Sequence, residues 1–313
     1  MDFAVNATLF QITVMLKSYM YLLNVKILYE TTIEIREYEE FMQSLDIKKF
    51  SSTPVIPIFY LAIKLLTDEG NPDNFEILRN ALRNNFRELT LNDSVEVIIN
   101  MENYCKRMIR EGKSEYETQL FDIYLFELEN KTYKAEYCLS NRLYISIIET
   151  AISLGKRKWT ASFIDDYKNE LDVSTRESTY TYANAIYEFS LDNFNDALRL
   201  LNSAGYNDVY NKFKQKTLII ACYYELDMFD KMEGVMDSYR HLLTSDKFIS
   251  KERKKYYSNF ITIAKKLIRL KTRFDPFVAN EIRGMLKLPG FVIDSKWIER
   301  KVTEAEKKNR AKK

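Results

Sequence analysis

A single histidine, His241, is the only imidazole that the sequence offers for acid–base chemistry near neutral pH. It lies near the end of a helical pattern, where the carbonyl end of the helix favours a cationic group. No second histidine is present to complete a zinc site of the HExxH type. We therefore interpret His241 as a surface or capping residue.

Carboxylates occur in two short clusters, Asp165–Asp166 with Glu170, and Glu37 with Glu39–Glu40. Such a cluster could hold a cation, but the same pattern is typical of a solvated helix surface, and we favour that interpretation. Neither phosphate-binding loop, GxxxxGK[ST] or GxGxxG, occurs. The sequence therefore predicts no catalytic residues, no metal site and no cofactor, and a protein that is not an enzyme.

The three cysteines, Cys105, Cys138 and Cys222, are far apart and form no CxxC pair, so we expect reduced thiols in a cytoplasmic protein. The apolar stretch from Leu9 to Leu28 could suggest a membrane segment. It is interrupted by the polar residues Gln11, Lys17, Asn24 and Lys26. This spacing favours a soluble amphipathic helix, and we expect no membrane contact.

The elements that carry these residues are predicted to be helices throughout. Hydrophobic residues make up 46% of the chain and charged residues 29%, which supports a packed core. Only 7 Gly and 5 Pro occur in 313 residues, too few for the tight turns of a β-rich domain. Apolar residues recur at intervals of three and four, as in Ala183, Ile186, Tyr187 and Leu191. The sequence therefore predicts an all-α chain.

Turn residues divide the helices into pairs. Ser52–Thr53–Pro54 and Asp275–Pro276 are typical of helix starts, and Gly155 is typical of a helix end. The predicted pairs cover about 5–46, 54–87, 93–131, 139–171, 175–204, 208–244 and 250–287, and a last helix begins near 294. Repeated pairs of this length are typical of an α-solenoid, in which each pair covers the apolar face of the previous one.

A repeat of 35 residues is visible in the centre of the chain. Leu191–Asp192–Asn193–Phe194 is followed 35 residues later by Leu226–Asp227–Met228–Phe229, and Trp159 lies 35 residues before Phe194. The same spacing aligns Phe189 with Tyr224. The sequence therefore predicts equivalent hairpins over about 140–245.

The segments AIYEFSLDNFNDALRLL (185–201) and ACYYELDMFDKMEGVM (221–236) resemble the middle of tetratricopeptide repeats (TPR). Phe194 and Ala197 match the aromatic and small residues that open the second helix of such a repeat. Asp192 stands where the family prefers glycine, and Met232 replaces the small residue. The resemblance implies a right-handed α-solenoid of about seven TPR-like hairpins over residues 1–298, with a basic helical tail at 299–313.

The resemblance also implies a non-catalytic scaffold that binds a peptide or helix of a partner protein in a concave groove. The first helix of each pair would line that groove. Thr179, Tyr182, Lys214 and Thr217 are then the candidate groove contacts.

The charge distribution is uneven. Residues 251–313 contain 19 Lys and Arg and 7 Asp and Glu, a net charge of +12, whereas the rest of the chain carries −10. The candidate basic patch comprises Lys251, Arg253, Lys254, Lys255, Lys265, Lys266 and Arg269. Three interpretations stay open: a solvated capping helix, contact with an acidic protein surface, or, as the alternative function, a nucleic-acid-associated regulatory factor.

The first hairpin lacks an obvious polar outer face. Terminal repeats of a solenoid need such a face to remain in water. We therefore expect the N-terminal side to be covered by a further segment or by a second copy.

Overall fold

The computed structural model describes residues 2–29, 34–68, 71, 73–205, 209–247, 249–288 and 292–311. Within these residues the chain forms 15 α-helices and no strand, which confirms the all-α prediction. The packing of the backbone divides the chain into two compact units. Unit 1 is Met1–Ile109 with Ser114–Cys138, and unit 2 is Arg110–Lys113 with Leu139–Lys313.

Unit 1 contains six α-helices within its described residues. They are α1 (Asp2–Tyr29), α2 (Tyr38–Ser44), α3 (Val55–Thr67), α4 (Asp73–Asn85), α5 (Leu91–Arg110) and α6 (Tyr116–Asn130). Short 3₁₀ turns at Ile47–Phe50, Phe86–Glu88 and Thr132–Glu136 join or follow them.

Helix α1 packs against α3 through one apolar face. Leu16, Met20 and Leu23 on this face are buried, because residues three, four and seven apart share one side of a helix. On the flank of this face, the ammonium group of Lys17 pairs with the carboxylate of Asp93 in α5. Helix α1 is therefore held along its inner side by both burial and charge.

The centre of unit 1 is built around α3. Its apolar side chains are buried, and Phe59 and Ile63 are fully enclosed. The buried amide of Asn100 in α5 donates a hydrogen bond to the carbonyl of Ala62, at 3.1 Å. A buried amide without a partner would cost free energy, so this bond fixes how α5 lies on α3.

Unit 2 contains nine α-helices within its described residues. They are α7 (Asn141–Ser153), α8 (Arg157–Asp166), α9 (Arg176–Ser190), α10 (Phe194–Ser203), α11 (Val209–Glu225), α12 (Phe229–Ser245), α13 (Lys251–Thr272), α14 (Pro276–Leu286) and α15 (Ser295–Arg310). The predicted pairs correspond to these helices and to those of unit 1, and the last helix begins at 295. Position 208, where one pair was expected to begin, lies outside the described residues, as do 312 and 313.

The helices of unit 2 follow a regular neighbour pattern. Helices α7, α9, α11 and α13 contact one another in succession, and each also packs against the helix that follows it in the chain. Helix α15 contacts both α13 and α14. Buried side chains of α11, α12, α13, α14 and α15 form one continuous hydrophobic core.

Three turns in unit 2 share one backbone geometry. Each has a residue in the left-handed region, namely Gly155 (φ 71°), Asp192 (φ 62°) and Asp227 (φ 58°). In each turn the next N–H donates to the carbonyl five residues earlier, in the pairs Lys156 with Ala151, Asn193 with Glu188, and Met228 with Tyr223. This is the Schellman motif, and it ends each first helix in the same way.

The three turns correct one part of the predicted register. Helix α8 begins at Arg157, as α10 begins at Phe194, so Arg157 rather than Trp159 is the structural equivalent of Phe194. Trp159 lies inside α8 and stacks on Phe163, with ring centroids 5.1 Å apart. The ring contact of Phe189 with Phe194 does recur between Tyr224 and Phe229.

The left-handed conformation of Asp192 gives the first testable prediction. A side chain with Cβ strains this conformation, whereas glycine adopts it freely. We expect the Asp192→Gly variant to be more stable than the Asp192→Ala variant, with a free energy of unfolding about 1 kcal/mol higher. Both variants remove the exposed carboxylate that lies 3.8 Å from Arg300, so their difference isolates the backbone. Urea unfolding measures it, and equal stabilities would contradict the proposed strain.

Candidate functional site: the basic face of helix α13

Helix α13 is positioned by a cap and a buried face. The Ser250 hydroxyl accepts a hydrogen bond from the N–H of Arg253 at 3.2 Å and so caps the N-terminus. Phe260, Ile263 and Leu267 are fully buried in the core of unit 2. The rotation of the helix is therefore fixed, and its opposite side must face solvent.

Cations recur along that opposite side. Lys251, Lys255, Lys265 and Arg269 are all exposed and recur with helical spacing, and they define the α13 basic face. Exposed Ser258 and Thr262 occupy the interval between the two pairs of cations. The four cations form no ion pair with any residue that the structure describes, and the sequence contains no Asp or Glu from Arg253 to Phe274.

Other cations of the basic segment are neutralised within unit 2. Lys266 pairs with Glu281 at 2.6 Å, and Lys271 pairs with Asp227 at 2.7 Å. Arg283 binds both Glu299 (3.1 Å) and Glu306 (3.0 Å), and these hydrogen bonds, to Glu306 first and to Glu299 second, raise the pKa of Arg283. The net charge of +12 is therefore a poor guide to the exposed positive charge.

The structure divides the seven residues of the predicted patch. Lys266 is paired, and Lys254 donates to the carbonyl of Asp246. Arg253 lies at the first turn of α13, is exposed, and has contacts of its own. The remaining four form the α13 basic face. Helical spacing alone could have placed these four cations on one side of a helix. Which cations of the seven have partners depends on the tertiary fold and could not be predicted from the sequence.

A buried ion pair attaches α15 to this part of unit 2. The ammonium group of Lys301 is 6% exposed and lies 2.9 Å from the Glu225 carboxylate at the end of α11. The indole N–H of Trp297 donates to the same carboxylate at 2.8 Å. Glu304 gives Lys301 a second, more exposed partner at 2.6 Å. The position predicted as a tail boundary, 298, thus lies inside a helix whose Ile298 and Val302 are fully buried.

We expect Glu225→Ala to lower the free energy of unfolding by about 3 kcal/mol, because it leaves a buried ammonium group with one exposed partner. Glu304→Ala, which removes the exposed partner, should cost less than about 1 kcal/mol. The double replacement Glu225→Leu with Lys301→Met should recover most of the loss, because it removes both buried charges. Urea unfolding of the full chain compares the variants, and equal losses for the two alanine variants would contradict the assignment.

The four predicted groove contacts are not grouped on an open surface. Thr179, Tyr182 and Thr217 are buried, at 4%, 6% and 3% exposure. The hydroxyl of Thr217 bonds to the carbonyl of Phe213 and lies 2.9 Å from the Tyr239 hydroxyl. These three side chains therefore contribute to packing in unit 2 and have little surface to offer a partner.

Lys214, the fourth predicted groove contact, is half-buried in α11. Its ammonium group lies 2.6 Å from the carboxylate of Glu149 in α7. The pair links two helices of unit 2, so its first role is structural. The sequence could not show this, because the two residues are 65 positions apart.

The structure also shows where the residues considered for acid–base chemistry or metal binding lie. His241 is exposed on α12, as expected of a surface residue. Cys105 and Cys222 are buried and Cys138 is half-buried; burial raises the pKa of the Cys222 thiol to about 12. Within the described residues, no group of three or more His, Cys, Asp or Glu side chains is arranged to hold a metal ion.

Unit 1 contains a buried carboxyl pair that the sequence did not reveal. Glu127 of α6 and Glu102 of α5 are 4% and 8% exposed. Burial, and then the negative charge and hydrogen bond of Glu102, raise the pKa of Glu127 well above its usual range. The ammonium group of Lys106 lies 2.5 Å from the carboxyl of Glu102. Glu127 is therefore expected to keep its proton at neutral pH.

This pair predicts a pH dependence. The unfolded chain ionises Glu127 above its ordinary pKa of 4.5, whereas the folded chain keeps the proton, so the unfolded state binds fewer protons and the free energy of unfolding falls as pH rises. We expect Glu127→Gln to reduce this fall between about pH 5 and 9. The exposed neighbour Glu129→Gln is the control. Parallel pH profiles for wild type and Glu127→Gln would contradict the raised pKa of Glu127.

A cleft of about 200 Å³ lies in unit 2 among α11, α13 and α15. It is lined by Tyr224, Glu225, Lys271, Lys301 and Glu304 together with neighbouring residues. Two of its three lysines, Lys271 and Lys301, are already paired with carboxylates, as described above. We therefore interpret the cleft as a space left where α15 packs beside α11 and α13, and we assign no chemistry to it.

Comparison of the chain with protein-family models, with curated proteins and with solved structures found no match. Within the described residues, no helix has both the length and the apolar composition needed to cross a membrane.

Proposed function

We propose that the chain is a non-catalytic, TPR-like helical scaffold that binds another protein, and that unit 2 engages an acidic peptide or helix of that protein through the α13 basic face. The observation that carries this proposal is the stripe formed by Lys251, Lys255, Lys265 and Arg269. It is exposed and lacks intramolecular ion pairs among the described residues, while neighbouring cations are paired.

The TPR-like arrangement is supported by two features of unit 2. The turns at Gly155, Asp192 and Asp227 repeat one backbone geometry, and α7, α9, α11 and α13 contact one another in succession. Both features are expected of stacked hairpins in a right-handed solenoid. The proposal of about seven hairpins over 1–298 extends this pattern to the rest of the chain. We keep a cytoplasmic location as part of the same proposal.

The spacing of the cations fits an acidic helix. Lys251 and Lys255 are separated by about 6 Å along the axis, as are Lys265 and Arg269. Glutamates four residues apart on a partner helix have the same separation. Such a helix, laid along α13, would bring opposite charges together without burying either.

The alternative, a nucleic-acid-associated factor, is less well supported by the same surface. Proteins that depend on phosphate contacts commonly make six to ten of them, whereas this face offers about four cations. Single-stranded nucleic acid is also bound by stacking on exposed aromatic rings. Of the three rings that the sequence places among the cations, Tyr257 and Phe260 are buried at 4% and 0% exposure, and Tyr256 is half-buried.

The test uses the full chain and a fluorescent helical peptide with glutamates at positions i and i+4. We expect the triple replacement Lys255→Glu, Lys265→Glu and Arg269→Glu to weaken binding by about tenfold or more, because three ion pairs become repulsive. Fluorescence anisotropy measures the affinity. Wild-type affinity should fall as salt rises from about 50 to 200 mM.

The control carries the same charge change elsewhere in unit 2, at the exposed cations Lys158, Lys231 and Lys287. It should bind the peptide within about twofold of its wild-type affinity, since nonspecific repulsion is weak at this salt. A short duplex DNA serves as the second probe. Tight duplex binding with no peptide binding would replace the proposed function by the nucleic-acid alternative.

A further inference from the structure

Helix α1 of unit 1 has a second apolar face that nothing in the described structure covers. Phe3, Phe10, Val14 and Tyr21 are 87%, 70%, 43% and 67% exposed. They are separated by seven, four and seven residues, which places them on one side of the helix. The buried Leu16 and Leu23 lie on the opposite side and face α3. Helix α1 is thus apolar on both sides.

The outer face is also free of charge. From Phe3 to Val25 the only ionisable cation or anion is Lys17, and it is turned inward to Asp93. In a chain with 29% charged residues, a helix surface of this length without charge is unusual. An uncharged, largely aromatic surface points to an interface with another apolar surface.

The exposed area agrees with what a dimer needs. With roughly 200 Å² for each aromatic side chain, the exposed parts of Phe3, Phe10 and Tyr21 amount to about 450 Å². A stable interface buries about 800 Å² on each partner, so these three rings supply more than half of it. Val14, Ala7 and the neighbouring exposed residues of α1 add to this area.

The face is complementary to itself when a second copy is placed antiparallel. A two-fold axis at Val14 brings together residues whose numbers add up to 28. Phe10 then lies opposite Ser18, Tyr21 opposite Ala7, and Val14 opposite Val14. Phe10 and Tyr21 each meet a small side chain, and Phe3 lies opposite Val25, which allows close packing of two helices. The line of contact from residue 3 to residue 25 is about 33 Å long.

A lipid surface fits α1 less well than a second copy does. Helices that lie in a membrane interface carry Lys and Arg along their polar side. In α1 this side is occupied by the contacts with α3, and Lys17 is paired with Asp93. Only Lys26, in the last turn, remains exposed.

From these observations we propose that the chain forms a homodimer through the outer face of α1, with the two α1 helices antiparallel and the two-fold axis at Val14. The interface belongs to unit 1 and is separate in sequence from the α13 basic face. The proposal therefore does not depend on the proposed function, although a dimer would present two such faces to a partner.

The first experiment measures the mass of the full chain by light scattering coupled to gel filtration, at micromolar concentration. We expect a dimer for the wild type and a monomer for Phe10→Glu, because the variant places an unpaired carboxylate in an apolar contact. Phe10 is exposed in the isolated chain, so the variant should keep the helical circular dichroism of the wild type.

The matched control is Phe277→Glu, which makes the same change at a phenylalanine of unit 2 that is 77% exposed. It should remain a dimer. A monomeric wild type, or a dimer that Phe277→Glu disrupts and Phe10→Glu does not, would overturn the proposal. A monomeric wild type whose binding to phosphatidylcholine vesicles is lost in Phe10→Glu would assign the face to lipid instead.

The second experiment tests the register by oxidative cross-linking of single replacements, with the wild type as baseline for the three native thiols. Val14→Cys should cross-link two copies, because position 14 lies on the axis. Ala7→Cys should not, since the two copies of position 7 would lie about 21 Å apart. Cross-linking at both positions would overturn the antiparallel arrangement, and cross-linking at neither would overturn the axis at Val14.

Discussion

The buried pair of Glu225 and Lys301 is the constraint on which the C-terminal half of unit 2 depends. The carboxylate belongs to Glu225, the last residue of α11, and the ammonium group belongs to Lys301 of α15. The indole N–H of Trp297 donates a hydrogen bond to the same carboxylate. Neither charge could be buried without the other, so α15 must lie where both meet. That position in turn covers Phe260 of α13, whose ring centroid lies 6.2 Å from that of Trp297. The outward rotation of the α13 basic face follows from this packing.

Backbone geometry provides the second constraint, and it explains how hairpins can repeat without a repeating sequence. The turns at Gly155, Asp192 and Asp227 have the same hydrogen bonds and the same positive φ, although only one of them contains glycine. Aspartate tolerates the left-handed region better than most residues because its side chain is short and polar. A turn can therefore be kept while its most recognisable residue changes, which weakens any comparison by sequence alone.

Much of the fold could be predicted from the sequence, because helical periodicity and capping residues are local signals. Asp275 caps α14 through the N–H of Phe277, as the Asp–Pro pair indicated. The site was less predictable. Thr217 was expected on a surface and is buried, because the side of a helix that faces its neighbours depends on packing. Which lysines are neutralised depends on carboxylates far away in sequence, as with Lys214 and Glu149.

Buried charges in this fold have partners within the chain, whereas the four cations of the α13 basic face have none among the described residues. This difference is one guide to the surfaces that could bind another molecule. Where burial makes an isolated charge costly, as at Lys301, the chain supplies a partner. Along the α13 basic face the four cations are solvated, so folding gains little from pairing them, and no described carboxylate does so. The outer face of α1 is the apolar counterpart, since its exposed rings do not stabilise an isolated unit 1. Neither surface is explained by the stability of the unit that carries it, and the two contacts that we propose, with an acidic partner along α13 and with a second copy along α1, would account for both.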